Sequence, residues 1–202
     1  MTPLPPHGSL RRRSVLRSLG VAGARFLAPA AWAAALTLPR RAAAAEADLT
    51  HFDITRDEDG VYLSFIVNFE LAKGPEDALA RAVPLFFVAE AEVFRDRWYW
   101  RDRRIAHPTR VWKIVYQPLT SSYRVTTVGG LGQTYPTREE ALLAISRATR
   151  WKIAEANQLD DGHHYVEFNY RLDVTLLPRP MQIGVAGQND WQLLVKRTQR
   201  IQ

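Results

Sequence analysis

The sequence predicts a mainly β, α+β fold, in which an antiparallel, β-sandwich-like domain of about seven or eight strands carries two short helices. Apolar and polar residues alternate with a period of two over most of residues 46–202, as expected for half-buried strands. The connections are mostly short and rich in turn residues, which favours antiparallel pairing. Long helices do not alternate regularly with the strands, and this argues against a doubly wound nucleotide-binding fold.

The first strands are predicted from strict alternation. Residues 62–71 (YLSFIVNFEL) carry one fully apolar face and one mixed face. Asp59-Gly60 is a strong hairpin signal that joins this strand to residues 52–55 (FDIT). Residues 85–94 (LFFVAEAEVF) show the same alternation over a longer stretch. The first half of the domain is therefore expected to supply three strands.

Two short helices are predicted between the strands. Residues 74–83 form the first, with Pro75 suited to its first position and Pro84 ending it. Thr137 and Glu140 have the spacing of a capping box, which marks the start of the second helix. Its apolar stripe consists either of Leu142, Ile145 and Thr149 or of Ala141 and Ala148.

The remaining strands lie in the second half. Residues 111–117 and 123–128 form a hairpin, and residues 164–174 (HYVEFNYRLDV) alternate with a fully apolar face. The stretch 177–183 contains two prolines, which cannot donate to a ladder, so it is not a central strand. Residues 190–199 close the chain as a last strand.

The positive charge of the chain lies in its first 45 residues. The chain of 202 residues has a formal net charge of +6, but residues 1–45 hold seven arginines and no acidic residue. Residues 46–202 therefore sum to −1. We expect two parts: a leader over 1–45 and a single antiparallel β-rich domain over 46–202, whose charge does not favour nucleic acid as a partner.

The leader resembles a twin-arginine export signal, with Arg12 and Arg13 as the pair. An uncharged run over residues 26–38 has about the length of a signal's apolar region, and Ala43 and Ala45 supply small residues for cleavage after Ala45. The run is rich in alanine and shorter than the roughly 20 strongly apolar residues that a membrane span needs. We expect a periplasmic protein; a retained N-terminal membrane anchor and a transit peptide are the alternatives.

The body contains no strong catalytic or metal-binding motif. The absence of cysteine excludes disulfides and thiolate metal sites. His163 and His164 follow two aspartates, but neighbours on a strand point to opposite faces, so a solvated hairpin is the preferred interpretation. Glu90 and Glu92 share a strand face, as carboxylates do on any strand with a wet face. We therefore assign no catalytic, cofactor-binding or metal-binding residue and expect no cofactor.

The most unusual stretch of the body is RDRWYWRDRR at residues 95–104, in which arginines surround Trp98, Tyr99 and Trp100. The preferred interpretation is that Trp98 and Trp100 share one face and pack on the core. The alternative is a contact surface for a protein, a glycan or a membrane interface. Single-stranded nucleic acid is disfavoured, because two aspartates dilute the positive field and export would separate the protein from it.

The order of several segments resembles a bacterial family catalogued as domain of unknown function 4390. The segments are residues 62–71, 84–100, 123–147, 177–183 and 190–193. The resemblance implies an exported proteobacterial protein, of a kind sometimes called a proline-rich signal peptide protein. It also implies a gene beside a nitrogen-regulation-type sensor histidine kinase, which is one half of a two-component system. It supplies no activity, cofactor or site residue.

These observations predict a non-enzymatic cell-envelope domain that binds a protein partner, for which the extracytoplasmic region of a sensor kinase is the candidate. A lipid- or glycan-binding periplasmic domain is the alternative, followed by an envelope enzyme that uses carboxylates or histidine. We expect the membrane to be touched only through the leader, if the leader stays uncleaved.

The N-terminus of the mature chain tests the assignment of the leader. We expect a protein that begins near Glu46 in the soluble periplasmic fraction, because cleavage after Ala45 removes all seven leader arginines. Cell fractionation followed by N-terminal sequencing measures this. An intact N-terminus in the membrane fraction would show an anchored domain, and an intact cytoplasmic chain would contradict export.

Overall fold

Ten strands and three helices form within the residues that the computed structural model describes, which are 47–99, 101–185 and 187–202. The strands are β1 (Ala47–Asp57), β2 (Gly60–Phe69), β3 (Leu85–Arg95), β4 (Arg103–Ala106), β5 (Thr109–Gln117), β6 (Ser122–Thr127), β7 (Gly132–Tyr135), β8 (Arg147–Glu155), β9 (His164–Leu172) and β10 (Leu194–Arg200). The helices are α1 (Lys73–Ala80), α2 (Arg138–Ile145) and α3 (Arg179–Val185). No helix in this part of the chain is long and apolar enough to cross a bilayer.

The strands pair into two antiparallel sheets. The smaller sheet has the order β1-β2-β8, and the larger has the order β10-β9-β3-β5-β6-β7. β4 pairs with the far end of β3, where Val93 lies opposite Ala106, whereas β5 pairs with the first half of β3. β4 and β5 therefore follow one another along the same side of β3. The predicted antiparallel, sandwich-like α+β architecture is confirmed.

The core lies between the two sheets and is built from their apolar faces. Phe65 of the smaller sheet meets Phe168 of the larger one with ring centroids 4.7 Å apart, a contact typical of aromatic pairs in cores. The Tyr170 hydroxyl donates to the Ile145 carbonyl at 3.2 Å and ties the end of α2 to this core. Twelve of the buried side chains come from β2 (Val61, Leu63, Phe65, Val67), β3 (Phe87, Ala89, Ala91, Val93) and β9 (Val166, Phe168, Tyr170, Leu172).

The predicted start of the second helix is confirmed, whereas its predicted extent is wrong. Thr137 Oγ1 accepts a hydrogen bond from the Glu140 N–H at 3.2 Å, but α2 ends at Ile145 and the chain enters β8. Arg150 has a positive φ of 47°, and the register of β8 against β2 shifts beside it. The buried residues of β8 therefore lack regular alternation, which is why the sequence pattern did not predict this strand.

Smaller differences have equally local causes. The structure has more strands than the seven or eight predicted, because β4 and β7 contain four residues each and are too short to show alternation. The two-proline stretch is not a strand, as predicted, and contributes to the third helix, α3. The first helix ends at Ala80, before the predicted residue 83, and Ala82 has a φ of 60° that lies outside the right-handed helical region.

Gly60 permits a close approach between β2 and β8, so its replacement tests this part of the fold. A Cβ atom on Gly60 would lie 2.2 Å from the Ala154 carbonyl oxygen and 2.8 Å from Lys152 Cε. We expect Gly60→Ala to lower the free energy of unfolding by about 1–3 kcal/mol, because the backbone must move to relieve the clash. Urea denaturation measures the change.

The control replaces a glycine that has room for a methyl group. A Cβ atom on Gly184 in α3 would meet nothing within 4 Å. We expect Gly184→Ala to leave the stability unchanged or to raise it by up to about 1 kcal/mol. Equal unfolding midpoints for the two variants would contradict the predicted clash at Gly60.

Candidate contact surface at the aromatic loop

The stretch between β3 and β4, residues 96–102, forms a connection that we call the aromatic loop. Trp98 is 93% exposed and Tyr99 is 70% exposed, and their rings meet edge to face with centroids 5.2 Å apart. The preferred interpretation from the sequence, that Trp98 packs on the core, is therefore wrong. The third aromatic residue, Trp100, lies outside the described residues.

The base of the aromatic loop is held by hydrogen bonds, although its tip is exposed. One carboxylate oxygen of Asp102 accepts the Arg97 N–H at 3.1 Å, and the other accepts the Tyr165 hydroxyl at 2.8 Å. The Asp96 N–H donates to the His163 carbonyl at 2.9 Å. These bonds connect the loop to β9 and to His163, the residue that precedes β9. The exposed aromatic side chains are thus carried on a fixed base.

Tyr165, the hydrogen-bond donor to Asp102, is itself held by stacking: its ring lies on that of Phe94 with centroids 5.2 Å apart. Partial burial raises the pKa of the Tyr165 phenol well above its ordinary value, and the hydrogen bond to the Asp102 carboxylate raises it further. The hydroxyl consequently keeps its proton and remains a donor throughout the physiological pH range.

The segment 95–104 is locally positive, because it contains five arginines and two aspartates and so has a net charge of +3. Arg95 forms an ion pair with Asp160 at 2.5 Å, and Arg104 forms one with Glu92 at 2.5 Å. The other three arginines of the segment have no ion pair within the described part of the chain; they are Arg97, Arg101 and Arg103. Exposed aromatic rings and unpaired guanidinium groups therefore share one short segment.

A groove of about 450 Å³ runs beside the base of the loop. One wall comes from Arg95 and the start of β4, and the other comes from residues 157–160, which connect β8 to β9. Both Arg103 and Arg104 line it, together with Ile105. Three arginines against one aspartate, Asp160, make the groove cationic, and Ile105 and Leu159 add apolar surface to it.

The two carboxylates that share a face of β3 are each engaged by an arginine. Glu90 accepts two hydrogen bonds from Arg171, at 2.6 and 2.9 Å, and the hydrogen bond from Arg171 is the main reason that the pKa of Glu90 lies below its ordinary value. Glu92 binds Arg104, and the His107 imidazole lies 3.6 Å from the same carboxylate. Their positions are explained by these cross-strand ion pairs.

The two neighbouring histidines occupy different environments. His163 is exposed, in agreement with a solvated turn, but His164 is only 3% exposed and points into the protein from the first position of β9. The solvated interpretation is therefore wrong for His164. Its Nε2 lies 3.4 Å from Asp160 Oδ1 and has no hydrogen-bond partner among the described residues. The described residues also contain no group of three side chains placed to hold a metal ion.

Burial sets the protonation state of His164. It lowers the pKa of the imidazole, and the nearby Asp160 carboxylate, which favours the charged form, offsets this effect only in part. The positive charges of Arg56 and Arg95 act in the same direction as burial. The neutral form of His164 is therefore the one that suits the folded protein.

Trp98 and Tyr99 stand out in the sequence, but the preferred interpretation placed Trp98 on the core and missed the residue that positions their loop. Tyr165 lies 63 positions away from Asp102, so no local spacing connects the two. The only indication in the sequence is that Tyr165 alternates with the apolar residues of β9, so its side chain must point away from the core. The leader residues singled out in the sequence, Arg12, Arg13, Ala43 and Ala45, lie outside the described residues.

Comparison with protein families gives one match: the model of a domain of unknown function, DUF4390, covers residues 44–201. Comparisons with curated proteins and with solved structures gave no significant match.

The buried imidazole predicts an acid-dependent loss of stability. The unfolded chain binds a proton at His164 near the ordinary pKa of 6.5, whereas the folded protein binds it only at lower pH. The free energy of unfolding should therefore fall as the pH drops below 6.5, by up to about 1.4 kcal/mol per pH unit from this residue. We expect His164→Gln to show a shallower fall than the wild type in urea denaturation across this range.

The adjacent residue provides the control for this measurement. His163→Gln removes an exposed imidazole one position away and should keep the wild-type dependence of stability on pH. If His164→Gln retained the full acid sensitivity while His163→Gln lost it, the buried imidazole would not be the cause.

Proposed function

Since the chain belongs to the DUF4390 family, a domain of unknown function, we propose that it is an exported, non-enzymatic binding domain of the cell envelope. In this proposal the aromatic loop is its contact surface. The system that it serves is a membrane-bound sensor histidine kinase, whose extracytoplasmic region is the candidate protein partner.

The observation that carries the proposal is the exposure of Trp98 and Tyr99 on a loop whose base is fixed. A tryptophan that is 93% exposed places a large apolar ring in water, which is unfavourable unless another surface covers it. Trp, Tyr and Arg are also the residue types that most often dominate binding energy at protein interfaces. All three types occur together in the segment 95–104.

The fixed base supports binding in a second way. Asp102 holds both the Arg97 backbone and the Tyr165 side chain, so the loop does not have to be ordered when a partner arrives. A contact loop that is ordered in advance loses less conformational entropy on binding. The arrangement is thus suited to recognition.

A binding role is also supported by the way in which the carboxylates of β3 are used. Glu90 and Glu92 are each paired with an arginine, and Glu90 has a lowered pKa that favours the ionised form. A general acid must carry a proton near neutral pH in order to donate it, whereas the lowered pKa keeps Glu90 ionised. The leader with Arg12 and Arg13 supports the export part of the proposal, and the gene neighbourhood implied by the family supports the kinase as partner.

Site-specific crosslinking in cells tests the proposal. A photoreactive amino acid replaces Tyr99 at the tip of the loop, and in a control it replaces Leu119, which is fully exposed in the turn between β5 and β6. Leu119 lies at the opposite end of the larger sheet, because β5 runs antiparallel to β3. We expect an adduct with the sensor kinase from position 99, several-fold more abundant than from position 119.

The adduct is identified by mass spectrometry, and export is checked in the same cells by fractionation. Equal adducts from both positions, or none from position 99 in an exported protein, would contradict a kinase contact through the aromatic loop. A chain that stays in the cytoplasm would contradict the export part.

A further inference from the structure

The geometry points to a second target for the aromatic loop beside the proposed protein partner: we infer that the loop also docks on the anionic phospholipid surface of a membrane. Trp98 and Tyr99 enter the headgroup region, and Arg97, Arg101 and Arg103 pair with lipid phosphates. The inference rests on the proposed function, since it takes the aromatic loop to be the contact surface of an exported protein. It differs from the expectation, drawn from the sequence, that the protein touches a membrane only through its leader.

The chemistry of the tip matches the boundary between lipid and water. Tryptophan and tyrosine are amphipathic rings that concentrate at membrane interfaces, where the ring is covered by lipid and the polar atom stays hydrated. Trp98 and Tyr99 are mostly exposed and lie next to each other at the turn that joins β3 to β4. The loop therefore presents a compact pair of interfacial residues.

The charge around the tip matches an anionic surface. Arg97 and Arg101 flank the aromatic residues, Arg103 follows within two positions, and none of the three has an ion pair in the described part of the chain. Their guanidinium groups suit phosphate, with which arginine forms paired hydrogen bonds. Each basic residue close to an anionic membrane strengthens binding by roughly fivefold. The segment is thus locally positive although residues 46–202 sum to −1.

The two aspartates of the loop do not cancel this charge at the tip. Both oxygens of Asp102 accept hydrogen bonds from within the protein, from the Arg97 backbone and from Tyr165. Asp96 lies at the foot of the loop, where its carboxylate is 3.9 Å from Arg200 of β10. Both acidic groups thus have partners within the protein, although they are exposed and keep their charge, and the three arginines without ion pairs among the described residues outnumber them.

The cationic groove beside the loop extends the surface that phosphate groups can reach. Arg103 lines the groove and is exposed, and Asn157 and Gln158 supply amide groups on the opposite wall. Free phosphate has the same chemistry as a lipid headgroup, so the experiment must separate a membrane contact from binding of a soluble anion. Only a membrane contact requires the aromatic tip.

The experiment measures partition of the mature chain, purified from cells, into vesicles made of equal parts phosphatidylglycerol and phosphatidylcholine, by flotation. Trp98→Ala/Tyr99→Ala should weaken partition by roughly tenfold or more, because the two rings supply the buried apolar area. Leu119→Ala, which removes an equally exposed apolar side chain at the far end of the sheet, should change partition less than about twofold. Both sites are exposed, so none of these variants is expected to disturb folding. The comparison uses chains that begin near Glu46, as established by N-terminal sequencing, so that the seven arginines of the leader do not contribute to partition.

A second set of variants tests the charge. Arg101→Gln/Arg103→Gln should weaken partition by roughly tenfold or more at low salt, and the difference should shrink at high salt as the charges are screened. Arg179→Gln/Arg197→Gln removes the same charge from two exposed arginines outside the loop and should have a much smaller effect. Vesicles of phosphatidylcholine alone should bind weakly in every case.

Three outcomes would overturn the inference. The first is equal partition of the wild type and the Trp98→Ala/Tyr99→Ala variant. The second is displacement of the wild type from vesicles by inorganic phosphate, with no dependence on the aromatic residues, which would indicate a soluble-anion site. The third is a crosslink from position 99 to the kinase without any vesicle binding, which would leave the proposed function intact. Conversely, if the protein binds vesicles but is never exported, the proposed function is refuted, while the ability of the loop to bind anionic lipid is confirmed.

Discussion

The position of β3 is the constraint on which the rest of the structure depends. β3 lies in the middle of the larger sheet and pairs with β9 along one side over Phe87–Arg95. On its other side it pairs first with β5 and then, near its end, with β4. Its alternate residues are fully buried from Leu85 to Val93, which fixes the strand in the core. The aromatic loop begins just after this burial ends, so its starting point is set by a strand that is fixed in the core.

This constraint explains how an exposed tip and a fixed base occur in one short segment. Because β4 returns along β3 for only a few residues, the chain must reverse within the loop itself. Asp102 stabilises the reversal by binding backbone on one side and Tyr165 on the other, and Tyr165 is in turn positioned by the pairing of β9 with β3. The loop is thus supported by the same strand pairing that forms the core, and its side chains are free to serve a contact.

The parts of the fold that the sequence predicted are those with local causes. The alternation of β2, β3 and β9 and the cap at Thr137 follow from neighbouring residues, and the structure contains them. β8 was missed because a bulge at Arg150 breaks its alternation, and its pairing partner β2 is distant in sequence. The exposure of Trp98 was missed for a related reason. The spacing of Trp98 and Trp100 predicts that they share one face, whereas the chain turns at residues 98–99 and a tyrosine on another strand holds the base of that turn.

The separation between a buried scaffold and a loop held at its base has an evolutionary consequence. Substitutions at Trp98 or Tyr99 leave the packing between the sheets unchanged, because neither ring takes part in the core. In the proposed function, they alter what the domain contacts. Substitutions at Asp102 or Tyr165 act differently, since they change the orientation in which those contacts are presented. In the proposed function, selection can therefore change the affinity of the contact through the tip and the orientation of the loop through its base, almost independently. Substitutions in the sandwich are limited by the packing of its core.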